Sequence, residues 1–177
     1  MGYSKGDLIE YYRAVWEWIE PYLQDRCLVL TRYPDGIDGK SFYQKNAPDW
    51  APDWVRTESV WSESSEKPID YFVVEELEML LYVANSAAIP LHVWSSKIKT
   101  IDKPDWCILD LDPKGAPFGD VVKVARVIRD VCEEIELPTY VKASGSSGLH
   151  VLVPLGHQCD YEQSRQLGHL LARVVVS

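Results

Sequence analysis

Apolar residues recur along this chain at two spacings, one typical of helices and the other of strands. The first helical spacing begins directly after Ser4, which forms a capping-box pattern with Asp7. Pro21 is expected to end or kink that helix, because proline lacks the N–H that the helix requires. Three further helices are predicted, at residues 75–86, at residues 120–134 and from about residue 160.

Short apolar or alternating runs between the helices predict strands. They lie at residues 27–31, 42–44, 91–94, 106–109, 140–143 and 149–154. Residues 46–68 are rich in Pro, Trp and Ser, so we expect an irregular excursion there with a short strand at 54–57. This alternation predicts an α+β fold, a mixed β-sheet with flanking helices, in a single domain over residues 1–177. The last helical pattern has no closing Gly, Asn or Pro, so we expect a fold that is incomplete at the C-terminus.

The composition mainly excludes certain classes of protein and kinds of site. A 46% hydrophobic and 25% charged chain is ordinary for a folded globular domain. The four cysteines never form a Cys-x-x-Cys pair, so buried thiols are expected in place of a zinc site or a disulfide framework. No signal peptide or long apolar run is present, which predicts a cytoplasmic protein without a membrane partner. The net charge of −9 excludes loose, charge-driven binding to nucleic acid, so any such site must be a local basic patch.

The first candidate for chemistry is Asp110-Leu111-Asp112, at the end of an apolar strand. Alternation along a strand would place both carboxylates on one face, about 6 to 7 Å apart, with Leu111 turned into the core. Two such carboxylates suit divalent metals, because like charges on one face repel unless a cation offsets them. The alternative is that Asp112-Pro113 opens a turn and Asp110 is solvated at the strand end.

The second candidate is the glycine- and serine-rich loop over residues 142–150, which ends in His150 at the start of a strand. Its backbone N–H groups and hydroxyls could surround a phosphate. It is not a P-loop, since the loop itself contains no Gly-Lys-Ser or Gly-Lys-Thr and a strand follows. An ordinary hairpin loop is the alternative.

Two weaker candidates lie earlier in the chain. His92 sits in an otherwise apolar strand, where a lone histidine is more often a hydrogen-bonded core residue than a ligand. Around the turn at residues 32–40, cations alternate with Phe42 and Tyr43, a mixture that suits a nucleic-acid backbone and stacked bases. Taken alone, this second pattern is better explained by a solvated rim around two core aromatics.

Taken in order, six motifs resemble the polymerase domain of DNA ligase D, a member of the archaeo-eukaryotic primase superfamily. They are Ser4-Lys5-Gly6-Asp7 with Tyr11-Tyr12, Arg32-Tyr33-Pro34-Asp35-Gly36-Ile37-Asp38-Gly39, Phe42-Tyr43-Gln44-Lys45, Leu91-His92-Val93-Trp94, Asp110-Leu111-Asp112-Pro113 and Ser144-Gly145-x-x-Gly148-Leu149-His150. The resemblance runs through nearly the whole chain and implies a primase-polymerase-like catalytic core. It also implies a nucleotidyltransferase that adds nucleotides, preferably ribonucleotides, at gaps or ends in double-strand break repair by end joining.

The resemblance also implies roles for individual residues. Asp110 and Asp112 would be catalytic and would hold Mn²⁺ or Mg²⁺. The nucleotide, an NTP or dNTP, would be bound by His92, Ser144, Gly145, Ser146, Gly148 and His150. DNA ends or gaps with a 5′-phosphate would be bound by Lys5, Phe42, Tyr43 and Lys45. A DNA ligase and an end-binding protein are the expected protein partners.

The chain departs from the family pattern in two places. No later aspartate in a comparable strand supplies the third metal carboxylate, and Ser147 stands where some relatives have a lysine. A shortened, non-catalytic module that binds DNA ends or nucleotides is therefore a second hypothesis. A third is a haloacid-dehalogenase-like phosphatase, which also uses Asp-x-Asp at a strand end, but Lys114 occupies a position where such enzymes usually have Thr or Val.

Overall fold

The computed structural model of the protein describes residues 2–176. Contacts between residues divide the chain into two compact units, unit 1 (Met1–Lys99) and unit 2 (Thr100–Ser177). Strands and helices are present in both units, which confirms the predicted α+β class. Within the described part of the chain, no helix combines the length and the apolar character needed to cross a membrane.

Unit 1 consists of an antiparallel sheet with three helices. The helices are α1 (Lys5–Ala14), α2 (Trp16–Leu23) and α3 (Leu77–Asn85). The strands are β1 (Cys27–Arg32), β2 (Phe42–Gln44), β3 (Thr57–Ser62), β4 (Lys67–Val73) and β5 (Ala88–Val93). The strand order is β2-β1-β4-β3, and β5 pairs with β1. A short 3₁₀ helix follows at Ile98–Thr100.

The N-terminal helix begins as predicted and ends differently. The Ser4 hydroxyl accepts from the Asp7 N–H at 3.3 Å, and the Asp7 carboxylate accepts from the Ser4 N–H at 2.7 Å, which completes the capping box. The helix stops at Val15, and a second helix begins at Trp16 and includes Pro21. The prediction that Pro21 ends the first helix is therefore wrong. The break comes earlier, and α2 tolerates the single hydrogen bond that proline removes.

The hairpin formed by β3 and β4 was not predicted. Six residue pairs join these strands, from Thr57↔Phe72 to Ser62↔Lys67. Side chains of β3 alternate between exposed and half-buried, so this strand has no buried apolar face to mark it in the sequence. Residues 57–62 therefore form a strand because they pair with β4, and the local sequence alone does not indicate it.

The core of unit 1 lies between the sheet and the helices. Leu28 and Leu30 of β1 and Leu80 and Val83 of α3 are fully buried in one cluster. Tyr12 of α1 joins this cluster, and its hydroxyl donates to the Ile89 carbonyl at 2.5 Å. The core therefore fixes the position of β1. Because β2, β4 and β5 pair with β1, their exposed side chains are positioned with it.

Unit 2 has the element order strand, helix, strand, strand, helix. Its elements are β6 (Trp106–Leu111), α4 (Phe118–Glu134), β7 (Tyr140–Ala143), β8 (Leu149–Pro154) and α5 (Tyr161–Val176). The three strands form an antiparallel sheet in the order β6-β8-β7. This order matches the first five elements of the split βαββαβ arrangement.

The core of unit 2 packs both helices against this sheet. Cys107, Cys132, Val151, Val153 and Leu171 are buried in one cluster. Helix α5 comes close to β6 at Gly168, where an added Cβ would lie 3.4 Å from the Cys107 sulfur. The Cys107 thiol donates to the Ser164 carbonyl at 3.3 Å. This contact joins β6 to α5.

Candidate functional site

The acidic pair follows the strand alternation that the sequence predicts. Leu109 and Leu111 pack against the core of unit 2. Asp110 and Asp112 are exposed, and the Asp110 side chain retains 61% of its accessible surface. Asp110 lies within β6 and Asp112 directly follows it, so the strand places both acids at one end of the sheet while the leucines anchor it.

Asp110 has two neighbours across the sheet. His150 of β8 lies directly opposite Asp110, and Lys142 of β7 lies directly opposite His150. The His150 Nε2 atom is 3.3 Å from Asp110 Oδ1, and His150 Nδ1 is 3.3 Å from Lys142 Nζ. The prediction brought Asp110 and His150 into one site, whereas the contact of Lys142 was missed. The strand register is the signal that would have found it, since residues 142 and 150 flank a short hairpin loop.

The loop between β7 and β8 lies against the acidic strand end. An added Cβ at Gly148 would lie 2.5 Å from the Leu111 carbonyl oxygen and 3.1 Å from Asp112 Oδ1. No side chain fits there, so glycine allows the loop to reach the backbone beside Asp112. Gly145 has a φ of +92°, in the left-handed region that glycine adopts without strain. The loop is thus a hairpin loop whose two glycines place it next to the acids.

Ser144 organises the loop from within. Its hydroxyl oxygen accepts from the Gly148 N–H at 3.0 Å and from the Ser146 N–H at 3.4 Å, and its own N–H donates to the Gly148 carbonyl at 3.0 Å. Those two amides are therefore engaged inside the loop. The hydrogen of the Ser144 hydroxyl has no acceptor among residues 2–176 and is the donor that the loop can offer to a ligand.

The donor set fits a hard divalent cation. Carboxylate oxygens are the ligands that Mg²⁺ and Mn²⁺ prefer, and Mg²⁺ is usually held by one or two carboxylates together with substrate phosphates and water. Over the described range 2–176, neither Asp110 nor Asp112 forms an ion pair with lysine or arginine. The same residues contain no group of three or more His, Cys, Asp or Glu side chains that could hold a metal by themselves. The two carboxylates alone would hold a cation weakly, and a ligand that brings further oxygens would strengthen its binding.

In unit 1, His92 is an exposed residue of β5. Its Nε2 atom is 2.7 Å from the Thr31 hydroxyl oxygen, and its ring centroid is 5.5 Å from that of Tyr43. Interpreting His92 as a core histidine was wrong, because its neighbours Leu91 and Val93 in the strand are the ones that pack against the core. Thr31 is only 7% exposed and was missed as a partner, since nothing in the sequence brings residues 31 and 92 together.

The predicted DNA-binding residues of unit 1 are all exposed. Phe42 retains 47% and Tyr43 69% of their accessible surface, so the alternative of two core aromatics is wrong. The Arg32 guanidinium lies over the Phe42 ring, 5.4 Å from its centroid. Lys5 begins α1 and Lys45 directly follows β2, and neither side chain forms an ion pair or hydrogen bond with another described residue. Unit 1 therefore exposes two aromatic rings and two lysine side chains.

The chain is similar in sequence to known proteins over nearly its whole length. A sequence model of the LigD primase-polymerase domain matches residues 4–177. The bifunctional non-homologous end joining protein LigD of Bacillus subtilis is 33% identical over 171 residues, which are 96% of this chain and 27% of that protein. The multifunctional LigD of Mycolicibacterium smegmatis is 28% identical over 97% of this chain and 23% of its own length. The chain thus spans about a quarter of the length of these relatives.

A solved structure shows the same fold. The polymerase domain of Mycobacterium tuberculosis ligase D, in complex with DNA, superimposes with a TM-score of 0.87 at 26% sequence identity. The match covers 97% of this chain and 62% of that chain.

Proposed function

Because this chain belongs to the LigD primase-polymerase domain family, we propose that it serves as a nucleotidyltransferase in end joining. It would add nucleotides, preferably ribonucleotides, at DNA gaps or ends with the help of Mn²⁺ or Mg²⁺. The observation that supports this most is the exposed acidic pair at the end of β6, with the Ser144–Gly148 loop packed beside Asp112 and His150 beside Asp110.

The acidic pair would hold the metal. When bound, a divalent cation at Asp110 and Asp112 would supply charge stabilisation for attack of a 3′-hydroxyl on the α-phosphate and for the departing pyrophosphate. The two carboxylates contribute by position, since both lie at the end of β6, whose leucines pack against the core of unit 2. Neither has to break an ion pair with lysine or arginine first, which lowers the cost of binding a cation.

The nucleotide would be held beside the metal by the loop and by His150. The hydrogen of the Ser144 hydroxyl and the His150 N–H are donors within reach of the acidic strand end, and each suits a phosphate oxygen. Gly145 and Gly148 give the loop its shape, and Ser146 adds a second hydroxyl at its exposed tip. In unit 1, the family resemblance assigns nucleotide binding to His92 as well, and Thr31 would hold its ring.

The DNA would be bound by the exposed surface of unit 1. Phe42 and Tyr43 offer aromatic faces on which bases can stack. Lys5 and Lys45 are exposed cations suited to a 5′-phosphate at a gap or an end. Because the chain carries a net charge of −9, this local patch must outweigh an unfavourable overall charge. Since the proposal has only two lysines that neutralise phosphates, binding should weaken only modestly with salt. A DNA ligase and an end-binding protein are the partners that this role requires.

A non-catalytic module that binds DNA ends or nucleotides is the second candidate. The observation in its favour is the small donor set, since residues 2–176 contain no group of three metal-binding side chains. Such a module would retain the unit 1 surface and the loop and would bind a gapped duplex without extending it.

A primer-extension assay on a gapped duplex with a 5′-phosphate separates the two. We expect extension with ribonucleotides in Mn²⁺ or Mg²⁺, and a loss of about 100-fold or more in Asp110→Asn, since that variant weakens charge stabilisation by several kcal/mol. Asp130→Asn, which removes an exposed carboxylate of α4, is the matched control and should extend normally. Binding of the duplex without extension by the unaltered chain would replace the first candidate with the second.

A further inference from the structure

The side chain of Lys142 contacts one of the candidate residues, although no motif singles it out. Lys142, His150 and Asp110 occupy directly opposite positions on three adjacent strands. Directly opposite residues of antiparallel strands project from the same face, so the three side chains form a row across β7, β8 and β6. The two contacts in this row are both 3.3 Å long, from Lys142 Nζ to His150 Nδ1 and from His150 Nε2 to Asp110 Oδ1.

The chemistry of the row determines where the imidazole proton lies. A lysine ammonium can only donate hydrogen bonds, so the Nδ1 atom of His150 must accept. The neutral ring then carries its proton on Nε2 and donates it towards the Asp110 carboxylate. The opposite tautomer would turn an N–H towards the ammonium and a lone pair towards the carboxylate, and both contacts would become repulsive.

We infer that Lys142 is a positioning residue that holds His150 in the Nε2–H tautomer. This inference rests on the proposed function, in which the Nε2–H group is offered to a phosphate oxygen beside Asp110. Asp110 favours the same tautomer while its oxygen is free to accept. Once Asp110 is engaged by a cation, Lys142 is the group that still fixes the proton. The other contact of the ammonium, to the Ala143 carbonyl at 3.4 Å, keeps it at the end of β7 beside the ring.

Imidazole NMR spectra test the tautomer directly. We would record long-range ¹H–¹⁵N correlations in alkaline buffer, where imidazoles are neutral, and assign His150 by its loss in His150→Gln. The Asp110→Asn background is informative, because an asparagine amide can turn either its oxygen or its NH₂ towards the ring. We expect Asp110→Asn to keep the Nε2–H form, Asp110→Asn/Lys142→Met to show both tautomers, and Asp110→Asn/Lys142→Arg to restore the single form.

Two spectral results would overturn the inference. One is a mixture of tautomers in Asp110→Asn alone, and the other is a single Nε2–H form in the Lys142→Met double variant. Lys103→Met removes a different exposed lysine of unit 2, from before the start of β6, and should leave the spectrum unchanged. These spectra need no bound nucleotide, so they decide the role of Lys142 even if the chain proves not to be a nucleotidyltransferase.

A double-mutant cycle tests whether the effect reaches the ligand through His150. In an Asp110→Asn background without metal, ATP binding should weaken about twofold in Lys142→Met, because only the fraction of His150 in the Nε2–H form can donate to a phosphate. Lys142→Arg should leave binding unchanged in that background, because arginine also only donates. In an Asp110→Asn/His150→Gln chain, Lys142→Met should cause no further loss. A loss of about tenfold there, on the scale of one hydrogen bond to a charged group, would show that Lys142 contacts the phosphates by itself and is not a positioning residue.

Discussion

The candidate residues of unit 2 and those of unit 1 are held in different ways. In unit 2, Asp110, His150 and the loop at Gly148 are fixed by strand register and by backbone packed directly against backbone. In unit 1, Phe42 and Tyr43 project from the short strand β2 and remain largely exposed, and His92 is held by one hydrogen bond to Thr31. Changes in the unit 2 site should therefore disturb structure and chemistry together, whereas changes on the unit 1 surface should affect binding alone.

Both units bury groups whose ionisation is suppressed, although the groups differ. In unit 1, burial raises the pKa of Tyr12 to about 12 from 10.0 and that of Cys27 to about 11 from 9.0. In unit 2, burial raises the pKa of the Cys107 and Cys132 thiols. The stability of both units should accordingly fall at alkaline pH.

The largest expected effect is a loss of stability at alkaline pH. The unfolded chain ionises Cys27 and Tyr12 near their ordinary pKa values, so above about pH 9 the unfolded state loses protons before the folded one. The free energy of unfolding should therefore fall with rising pH, by about 3 kcal/mol between pH 8 and pH 11 in urea denaturation. Cys27→Ala should show a shallower fall, and a profile that stays flat to about pH 11 would contradict this description of the unit 1 core.

The next effect is expected at Gly148. In Gly148→Ala the new methyl group would meet the Leu111 carbonyl, so either the loop moves away from Asp112 or the strand end is distorted. We expect a cost of about 2 kcal/mol, measured by thermal unfolding. Gly119→Ala is the control, because its Cβ would enter open space in α4, and it should be neutral or slightly stabilising. Equal melting temperatures for the two variants would argue that the loop is not held by this close approach.

A smaller effect is expected at Thr31. Thr31→Val keeps the shape of the buried side chain and removes the hydroxyl that contacts His92, so we expect a loss of about 1 kcal/mol or less in stability. The same change should free the His92 ring, which the NMR signals of that ring can report. Thr100→Val removes a longer, exposed contact of 3.5 Å to His157 and should matter less. A larger cost at Thr100 than at Thr31 would reverse this ranking.

The smallest effect on stability is expected at Tyr43. Tyr43→Ala should change the free energy of unfolding by less than about 0.5 kcal/mol, since the side chain is mostly exposed. Binding of gapped DNA should weaken about tenfold, on the scale of one base stacked on an aromatic ring. Fluorescence anisotropy of a labelled duplex measures this. Tyr140→Ala, an equally exposed tyrosine of unit 2, is the control and should bind normally. Destabilisation by Tyr43→Ala would mean that the unit 1 surface is not independent of its core.

Local sequence predicted most of the elements correctly. Strands β2, β7 and β8 have the predicted bounds, and α3, α4, β1, β5 and β6 differ from the prediction by a few residues at most. Helical periodicity marks α3 and α4, and apolar runs mark β1, β6 and β8. The break at Val15 was missed because the apolar spacing continues across it, and β3 was missed because it has no buried apolar face. Strand β4 does bury Ile69, Tyr71 and Phe72, a pattern that was overlooked.

In the candidate site, too, features that depend on local sequence were predicted and contacts that depend on tertiary pairing were missed. The exposure of Asp110 and the partial burial of Leu111 follow from alternation within one strand, and the approach of the loop follows from Gly148. The contact of Thr31 with His92 joins residues 61 positions apart, and the row through Lys142 depends on the register of three strands. Such contacts arise from tertiary pairing, so residue spacing alone does not show them.

Paramagnetic broadening by Mn²⁺ tests the central claim, that Asp110 and Asp112 hold a divalent cation beside the loop. In ¹H–¹⁵N spectra of the chain, low Mn²⁺ should first remove the amide signals of residues 110–112 and 144–150. Asp110→Asn and Asp112→Asn should each require about tenfold more Mn²⁺, while Asp130→Asn should behave like the unaltered chain. Broadening centred elsewhere, or unchanged in both acidic variants, would contradict the claim.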